Sequence, residues 1–368
     1  MKTLTLLLFC ATLSCARAQD PAPPVRLAIV GLVHDHVRGM LPALAGRTDV
    51  TLVGIVEPNR ALADHYAAAF HLDPALFFPT LDALRAKTPV QVVAAFTSTF
   101  DHRRVVEMCA PLGIDVMMEK PFAVSMADAR AMDAAARKGG IRVVVNYETT
   151  WYPSNTSAFD FVHTAPGVGE IHKIVVRDGH SGPQKICSAA FLDWLTDPVL
   201  NGGGALMDFG CYGADLVTWL MDGRRPTSVF AVTQNFQPDV YKKVEDEATI
   251  VVTYPHTQAI IQASWNWPYG RKDMDIYGSR GALRLPDRNS VFLRVGEEPE
   301  TTVPAPSLAA PNADALSYLV AVVRRQIEPA GLSSIGVNLV VTEILDAARE
   351  SARTGRRVDL PAESGGRP

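Results

Sequence analysis

The sequence predicts an α/β fold class in which a parallel, doubly wound sheet comes first and an α+β domain with a mostly antiparallel sheet follows. Before Asn146, short apolar runs alternate with segments of helical spacing. Strands that alternate with helices form a parallel sheet with helices on both faces. After Asn146, several strand-like runs follow one another with few helices between them, and this order favours antiparallel pairing.

The first half of the chain supplies the parallel strands, which are predicted at residues 25–30, 51–56, 90–96, 114–118 and 142–145. Such near-continuous apolar runs are typical of strands that are buried on both faces. Helices are predicted at residues 61–70, 103–112 and 125–138. Ser125 is the expected N-cap of the last helix, with Asp128 three residues later.

The second half carries the antiparallel strands, predicted at residues 171–176, 227–233, 248–254, 258–264 and 273–277. A helix is expected at residues 205–221, a loop at 297–312, and further helices at 314–325 and 335–353. The predicted domains are therefore residues 25–145 and 146–310, with residues 311–361 forming helices that pack back on the body.

The amino-terminal residues 1–18 resemble a secretory signal. The start is positive, residues 4–13 are apolar, and Ala16-Arg17-Ala18 is a small-x-small cleavage site. Cleavage there removes two positive charges and no acids, which changes the formal net charge from −4 to −6. A periplasmic or secreted location is therefore expected. Lipoprotein cleavage before Cys15 is less favoured, because Thr12 stands where such signals carry Leu.

Composition excludes several classes of function. The formal net charge of −4 and the isoelectric point near 6.1 provide no basic footprint for nucleic acid. No stretch after the signal is apolar for long enough to span a membrane. After the signal, the chain has an odd number of widely spaced cysteines, which are Cys109, Cys187 and Cys211. We therefore expect buried free thiols and neither disulfides nor a metal site.

The turn after the first strand is a candidate dinucleotide site. Such turns carry G-x-G-x-x-G, which lets backbone N–H groups approach a diphosphate. Here Gly31 is kept, while Val33 and His36 occupy the other two glycine positions. Glu57, after the second strand, can accept hydrogen bonds from a ribose and repel a 2′-phosphate, which favours NAD. Arg60 lies close by and leaves NADP possible.

The chain resembles the glucose–fructose oxidoreductase/inositol dehydrogenase (Gfo/Idh/MocA) family over nearly all of its mature length. The matching segments are residues 30–32, 55–59, 97–102, Glu119-Lys120-Pro121, 202–210 and 277–281. The resemblance implies an N-terminal Rossmann domain, a second domain on an open antiparallel sheet, a bound nicotinamide cofactor, and homodimers or homotetramers. It also implies that the cofactor is contacted by Thr97, Ser98, His102, Glu119 and Lys120.

Lys120, Asp208 and Tyr212 are the predicted catalytic residues. Lys120 ends a buried strand at the edge that faces a cofactor crevice. Asp208 and Tyr212 are four positions apart and share one face if the helix at 205–221 is continuous. Family members often carry His where Tyr212 stands, and the resemblance implies that Tyr212 serves as acid/base. Because a Tyr with a pKa of about 10 is a poor base, Lys120 is expected to lower the pKa of Tyr212.

Aromatic, cationic and amide side chains elsewhere are candidate sugar contacts. Aromatic rings suit the apolar faces of pyranoses, and polar side chains suit hydroxyl groups. The candidates are Asn146, Tyr147, Arg177, His180, Trp194, Trp267 and Arg271.

These features predict an exported NAD(P)-dependent oxidoreductase that acts on a sugar or glycoside hydroxyl group. Free NAD(H) is not expected outside the cytoplasm, so the cofactor is expected to be held tightly and recycled in place. Two alternatives stay open. One is an NAD-dependent glycoside hydrolase that works by transient oxidation, elimination and re-reduction. The other is a non-catalytic sugar-binding protein, which the single glycine of the turn supports.

Overall fold

The structure is a computed structural model that describes residues 22–164 and 167–361, so the predicted signal lies outside the described residues. The strands are β1 (Val25–Val30), β2 (Val50–Val56), β3 (Phe77–Phe78), β4 (Val92–Ala95), β5 (Asp115–Glu119), β6 (Val143–Asn146), β7 (Ile171–Gly179), β8 (Ser228–Gln234), β9 (Glu247–Thr253), β10 (Gln258–Ser264), β11 (Arg271–Gly278), β12 (Gly281–Leu285), β13 (Val291–Val295), β14 (Thr301–Val303) and β15 (Val358–Asp359). The α-helices are α1 (Val37–Leu44), α2 (Arg60–Ala69), α3 (Leu81–Arg85), α4 (His102–Cys109), α5 (Met126–Gly139), α6 (Pro153–Thr164), α7 (Ala189–Leu195), α8 (Ala205–Asp208), α9 (Gly210–Leu220), α10 (Ala315–Val323) and α11 (Ile335–Thr354).

The first sheet confirms the predicted parallel, doubly wound arrangement. Its six strands lie in the order β3-β2-β1-β4-β5-β6, and all of its pairings are parallel. Every residue of β4 and β5 is buried, as expected for apolar strands covered on both faces. Ser125 caps α5 as predicted, since its hydroxyl accepts from the Asp128 N–H. The strand order reverses between β1 and β4, which opens a crevice at the carboxyl ends of these strands.

The second sheet confirms the mostly antiparallel prediction. Its nine strands lie in the order β14-β13-β12-β11-β7-β10-β9-β8-β15. Among the described residues, β7 and β10 are its parallel pair, and its other paired strands run antiparallel. The prediction of a loop at residues 297–312 is wrong in part, because Thr301–Val303 forms the edge strand β14 on β13.

The predicted continuous helix at residues 205–221 is also wrong. It is divided into α8 and α9 at Phe209. At the break, the backbone carbonyl of Asp208 accepts from Lys120 Nζ at 3.0 Å. The N–H of Tyr212 donates to the carbonyl of Phe209 instead. Asp208 and Tyr212 therefore belong to separate helical segments.

The last two long helices pack against the body in different places. Apolar residues of α10, including Leu316 and Leu319, pack in the same core as Val25 and Leu27 of β1. Helix α11 packs against α5, α9 and β8, so it touches elements of both halves. Among the described residues, no helix has the length and apolar character that a membrane crossing requires.

Candidate active site

The turn after β1 is shaped for close backbone approach. Gly31 has a φ of +81°, and a Cβ at this position would lie 2.7 Å from Thr97 Cγ2 and 2.9 Å from the Phe96 carbonyl oxygen. Glu57 fastens the turn to the end of β2, because its carboxylate accepts from the N–H groups of Leu32 at 3.0 Å and Asn59 at 2.8 Å. Burial raises the pKa of Glu57, and these two backbone bonds oppose that shift. The one retained glycine therefore stands where a side chain has no room.

A cavity of about 440 Å³, here called the cofactor cavity, lies beside this turn. Gly31, Val33, Glu57 and Thr97 line it, together with residues at the start of α4. Ser98 donates to Asp101 at 2.8 Å and so supports the same loop. The position of the Glu57 carboxylate matches that of a ribose acceptor. The predicted NADP contact, Arg60, instead pairs with Asp64 on its own helix, and its side chain is 73% exposed.

A buried, unpartnered nitrogen next to the turn fits a dinucleotide. His34 Nδ1 accepts from the N–H of His36 at 3.3 Å, so a neutral ring carries its proton on Nε2. That Nε2 is buried without a partner among the described residues. Burial, followed by the charges of His36 and Lys120, holds the pKa of His34 well below its ordinary value. His34 thus presents a neutral donor beside the turn that should hold the diphosphate.

His34, His36 and Glu119 form a group with the spacing of a possible metal site. Each offers one ligand atom, and these atoms lie within 4.8 Å of one another. However, His36 Nδ1 is hydrogen-bonded to Glu119 at 2.8 Å. Lys120 adds a positive charge that already lowers the pKa of His34. Because His36 and Glu119 already bond one another, a hydrogen bond accounts for this group.

The other predicted cofactor residues surround the end of β5. Glu119 accepts from Asn146 Nδ2 at 2.8 Å as well as bonding His36, so the carboxyl ends of β5 and β6 are tied together. His102 lies beneath this edge, with Nδ1 3.2 Å from the Phe122 carbonyl oxygen and its Nε2 buried and unpartnered. Burial lowers the pKa of His102. His102 therefore supports the residues that follow Lys120 from below.

Lys120 and Asp208 form a buried ion pair between the two halves. Lys120 Nζ lies 2.5 Å from Asp208 Oδ1, and each side chain is 6% exposed. Trp265 Nε1 donates to the other carboxylate oxygen at 2.9 Å. Burial alone would raise the pKa of Asp208, but the Lys120 ammonium holds it below its ordinary value. Burial would lower the pKa of Lys120, and the Asp208 carboxylate raises it instead. Both groups therefore stay charged at neutral pH.

The prediction that Lys120 lowers the pKa of Tyr212 is wrong. Burial raises that pKa well above its ordinary value, and the Glu148 carboxylate adds to the effect. Lys120 Nζ lies 5.0 Å from the centre of the Tyr212 ring, and Lys272 Nζ lies 4.6 Å from it. The positive charge of Lys120 is balanced by Asp208, so it does not favour a phenolate. Tyr212 is 1% exposed and keeps its proton.

Two larger cavities open beside the ion pair. The sheet-side cavity, of about 710 Å³, is lined by residues of β7, β11 and β12, and by Phe209 next to Asp208. The helix-side cavity, of about 780 Å³, is lined by residues of α1 and by Glu119 and Asn146. Glu148 and Arg288 line both. The helix-side cavity lies at the carboxyl ends of β4, β5 and β6, and the two cavities, which share Glu148 and Arg288, are together called the chamber.

The predicted sugar contacts divide between these places. Arg177, His180 and Arg271 line the sheet-side cavity. Trp267 backs its wall, with the Arg271 guanidinium 4.7 Å from the indole ring. Asn146 lines the helix-side cavity and accepts from Trp151 Nε1 at 3.0 Å.

Two predicted sugar contacts lie elsewhere. Trp194, on α7, donates from Nε1 to the Val33 carbonyl at 3.2 Å, so it covers the cofactor turn. Tyr147 is fully buried and donates to Asn338 at 3.0 Å. Both aromatic rings are used for packing between elements, and neither lines the sheet-side cavity.

Several residues of this chamber were not predicted from the sequence. Glu148 accepts from the Tyr152 hydroxyl at 2.5 Å and forms an ion pair with Lys272. Asp178 stands opposite Lys272 on β7, with both carboxylate oxygens buried and unpartnered among the described residues. Burial raises the pKa of Asp178 well above its ordinary value. The position of Glu148, just after the sixth strand, was the one sequence signal for this group.

The family follows from two matches. Residues 25–147 match the oxidoreductase family with an NAD-binding Rossmann fold, and residues 165–284 match the GFO/IDH/MocA C-terminal domain. This chain belongs to the Gfo/Idh/MocA family. As a member, it has an NAD-binding Rossmann domain, and the resemblance inferred from the sequence is confirmed.

Relatives of this Gfo/Idh/MocA protein are similar over most of its length. The dTDP-3,4-didehydro-2,6-dideoxy-alpha-D-glucose 3-reductase of Streptomyces antibioticus is 25% identical over 279 residues, which cover 72% of this chain and 76% of that protein. An aldose-aldose oxidoreductase from Caulobacter crescentus, solved with glycerol, superposes with a TM-score of 0.78 at 24% identity, covering 92% of this chain and 100% of the other. An inositol dehydrogenase homologue from Azotobacter vinelandii, solved with NAD+, has a TM-score of 0.79 at 20% identity, covering 92% and 98%. These two solved structures share its fold.

Proposed function

We propose that this protein is an exported NAD-dependent oxidoreductase that oxidises a hydroxyl group of a sugar or glycoside. The observation that carries the proposal is the buried Lys120–Asp208 ion pair, which joins the end of β5 to the residue before Phe209, and Phe209 lines the sheet-side cavity of about 710 Å³. The names of the relatives, a sugar-nucleotide 3-reductase and an aldose-aldose oxidoreductase, support a sugar substrate. When bound, NAD supplies the acceptor for hydride.

The residues of this chain then position the reacting oxygen. The Lys120 ammonium donates a hydrogen bond to the substrate oxygen and stabilises the negative charge that develops on it. Asp208 holds that ammonium in place and keeps it charged. Glu148 faces the same chamber as an ionised acceptor for the hydroxyl proton, because Lys272 keeps its pKa low against the effect of burial.

Retention of the cofactor is the second part of the proposal. Outside the cytoplasm no NAD(H) pool would exchange with the site, so the hydride taken from one substrate must pass to another acceptor. Residues 188–201, here called the cover segment, support this idea. The Ser188 N–H donates to Asp35 at 2.6 Å, and Trp194 donates to Val33. The cover segment also reaches the loop after β4, since Asn201 bonds the Thr99 hydroxyl at 3.1 Å.

The test begins with the purified protein. We expect mass spectrometry to find bound nicotinamide cofactor, and we expect sugars or aryl glycosides to change its reduced-nicotinamide absorbance. Lys120→Met should slow this hydride exchange by about 100- to 1000-fold, since it removes one charged donor from the reacting oxygen. Lys138→Met, an exposed position at the end of α5, is the control. Unchanged turnover in Lys120→Met, or a protein that never binds nicotinamide, would contradict the proposal.

A second candidate function is glycoside cleavage by transient oxidation, elimination and return of the hydride. The Glu148–Lys272 pair favours it, because elimination needs a base for a carbon-bound proton and an acid near the leaving group. Release of the aryl alcohol with no net change in the cofactor would distinguish it from net sugar oxidation. Homodimer or homotetramer formation stays a prediction, which light scattering on the purified protein would test.

A further inference from the structure

We propose that the substrate carries an anionic group, a carboxylate or phosphate attached to the sugar, and that Arg288 binds it. The inference rests on the proposed function and specifies its substrate class. Arg288 follows β12 in the loop that closes one wall of the sheet-side cavity. Its guanidinium is exposed to the chamber rather than buried in the protein.

The cations of the sheet-side cavity differ in whether a carboxylate balances them. Arg177 lies 2.7 Å from Asp275, and Arg271 lies 2.5 Å from Asp273. Lys272 is paired with Glu148, and Arg284 lies 2.6 Å from Glu300. Arg288 differs from these four cations: among the described residues, no carboxylate oxygen lies within 4.0 Å of its guanidinium nitrogens. Its charge is left for a ligand.

The neighbouring acid does not neutralise Arg288. The Asp287 carboxylate is turned to its own loop, where it accepts from the N–H groups of Asn289 at 2.8 Å and Ser290 at 2.9 Å. These bonds stabilise the loop that carries Arg288. The loop therefore presents a cation that has no carboxylate partner.

The backbone and side chain of Arg288 are both positioned. Its carbonyl accepts from the Ser154 N–H at 3.0 Å, which ties the loop to the start of α6. Its guanidinium lies 5.4 Å from the centre of the Tyr152 ring. Tyr152 in turn donates to Glu148, the acceptor proposed for the substrate hydroxyl proton. A sugar with its reacting hydroxyl near Glu148 therefore has the Arg288 charge on one side.

A substrate anion is a better partner for Arg288 than the cofactor diphosphate. The cofactor turn has its own donors, which are the backbone around Gly31 and the buried His34 Nε2. Arg288 does not line the cofactor cavity; it stands where the sheet-side and helix-side cavities meet. A guanidinium binds a carboxylate or phosphate through two parallel hydrogen bonds. Neutral sugars leave this charge unused.

The experiment compares matched neutral and acidic sugars on the full chain loaded with NAD. The pairs are D-glucose with D-glucuronate and D-galactose with D-galacturonate, and D-glucose 6-phosphate serves as the phosphate arm. Binding is measured by calorimetry, and hydride transfer by the absorbance of the bound nicotinamide. Wild-type protein should bind the better acidic partner about 10- to 100-fold more tightly than its neutral counterpart, as expected for a hydrogen-bonded charge pair, and this preference should weaken with salt.

Arg288→Leu should lose this preference while NAD binding and neutral-sugar binding are retained. Arg284→Leu is the matched control, because it removes a cation from the same wall that Glu300 already balances, and it should keep the preference. Equal or absent binding of the acidic sugars by the wild type, or a preference that survives Arg288→Leu, overturns the inference. A loss of NAD affinity in Arg288→Leu also overturns it and assigns the residue to the cofactor. Failure of the proposed function has a different signature, which is no NAD binding or no hydride transfer with any sugar.

Discussion

Replacing Asp208 by Asn tests whether the buried ion pair is the electrostatic centre of the site. The substitution keeps the side-chain shape and an oxygen for Lys120, but it removes the charge that lies 2.5 Å from Nζ. Leaving one charge of a buried pair without its partner costs about 3 to 5 kcal/mol. The amide oxygen can still accept from Lys120, but the amide nitrogen then faces the Trp265 Nε1 donor, so we expect at least the lower value, about 3 kcal/mol, or roughly 100-fold in the unfolding equilibrium constant.

The pH dependence of this loss has a definite sign. In the wild type the lowered pKa of Asp208 contributes stability above the ordinary carboxyl range, and that stability is lost as pH falls through the folded value. The raised pKa of Lys120 contributes stability below the ordinary lysine range, and that stability is lost as pH rises through the folded value. Both contributions are complete at neutral pH. In Asp208→Asn, burial of an unpaired Lys120 lowers its pKa, so the destabilisation should shrink as pH rises and the amine loses its proton.

Urea unfolding followed by circular dichroism, at neutral and alkaline pH, measures both effects on protein stripped of cofactor. Asp133→Asn is the control, because Asp133 pairs with Arg137 on the surface of α5, and such pairs contribute little. A loss of stability in Asp208→Asn no larger than in the control, or one that grows with pH, would refute the reasoning.

Two further predictions concern the cofactor turn and its cover. Gly31→Ala should weaken NAD binding at least about tenfold in calorimetry, because it combines backbone strain at φ +81° with a Cβ 2.7 Å from Thr97 Cγ2. Gly113→Ala is the control, since Gly113 has a similar φ of +65° but open space around it. This control introduces backbone strain without a steric clash and should leave NAD binding unchanged. Trp194→Phe should speed NAD release about 5- to 10-fold in a fluorescence chase, because it removes the hydrogen bond to Val33. Trp219→Phe is the control, because Trp219 stacks on Phe159. Equal rates of NAD release in the two variants would exclude a role for Trp194 in retaining the cofactor.

The sequence predicts strands correctly where the apolar pattern is strong, both in the buried parallel strands and in strands of alternating burial such as β9 and β10. β4 is a continuous apolar run and β1 is interrupted by Arg26 alone, and burial on both faces favours the extended conformation for such runs. Among the strands that the sequence analysis does not predict, β14 is short and mostly exposed, with polar Thr301 and Thr302. Its conformation comes from pairing with β13, a contact that the local sequence does not encode.

The sequence predicts those residues of the candidate site whose position follows from the end of a single strand. Lys120 and Glu57 follow buried parallel strands, so their placement at the crevice follows from topology. The charge balance was not predictable, because it depends on pairs far apart in the chain. Lys120 meets Asp208 across 88 positions and Glu148 meets Lys272 across 124. Trp194 was misplaced for the same reason: its partner, Val33, lies on the opposite domain.

The protonation state of Tyr212 bears on whether the site can donate a proton while hydride is transferred. Its ring lies near two ammonium groups, but each belongs to an ion pair that is neutral overall, Lys120 with Asp208 and Lys272 with Glu148. No net positive charge is left to stabilise a phenolate, and burial raises the pKa of Tyr212 further. Tyr212 and Lys120 therefore both hold protons at neutral pH, as required when a hydride arrives at a carbonyl and its oxygen must be protonated. The protonated Tyr212 and Lys120 thus serve the return of the hydride and the ionised Glu148 serves its removal, as the proposed cycle on a retained cofactor requires.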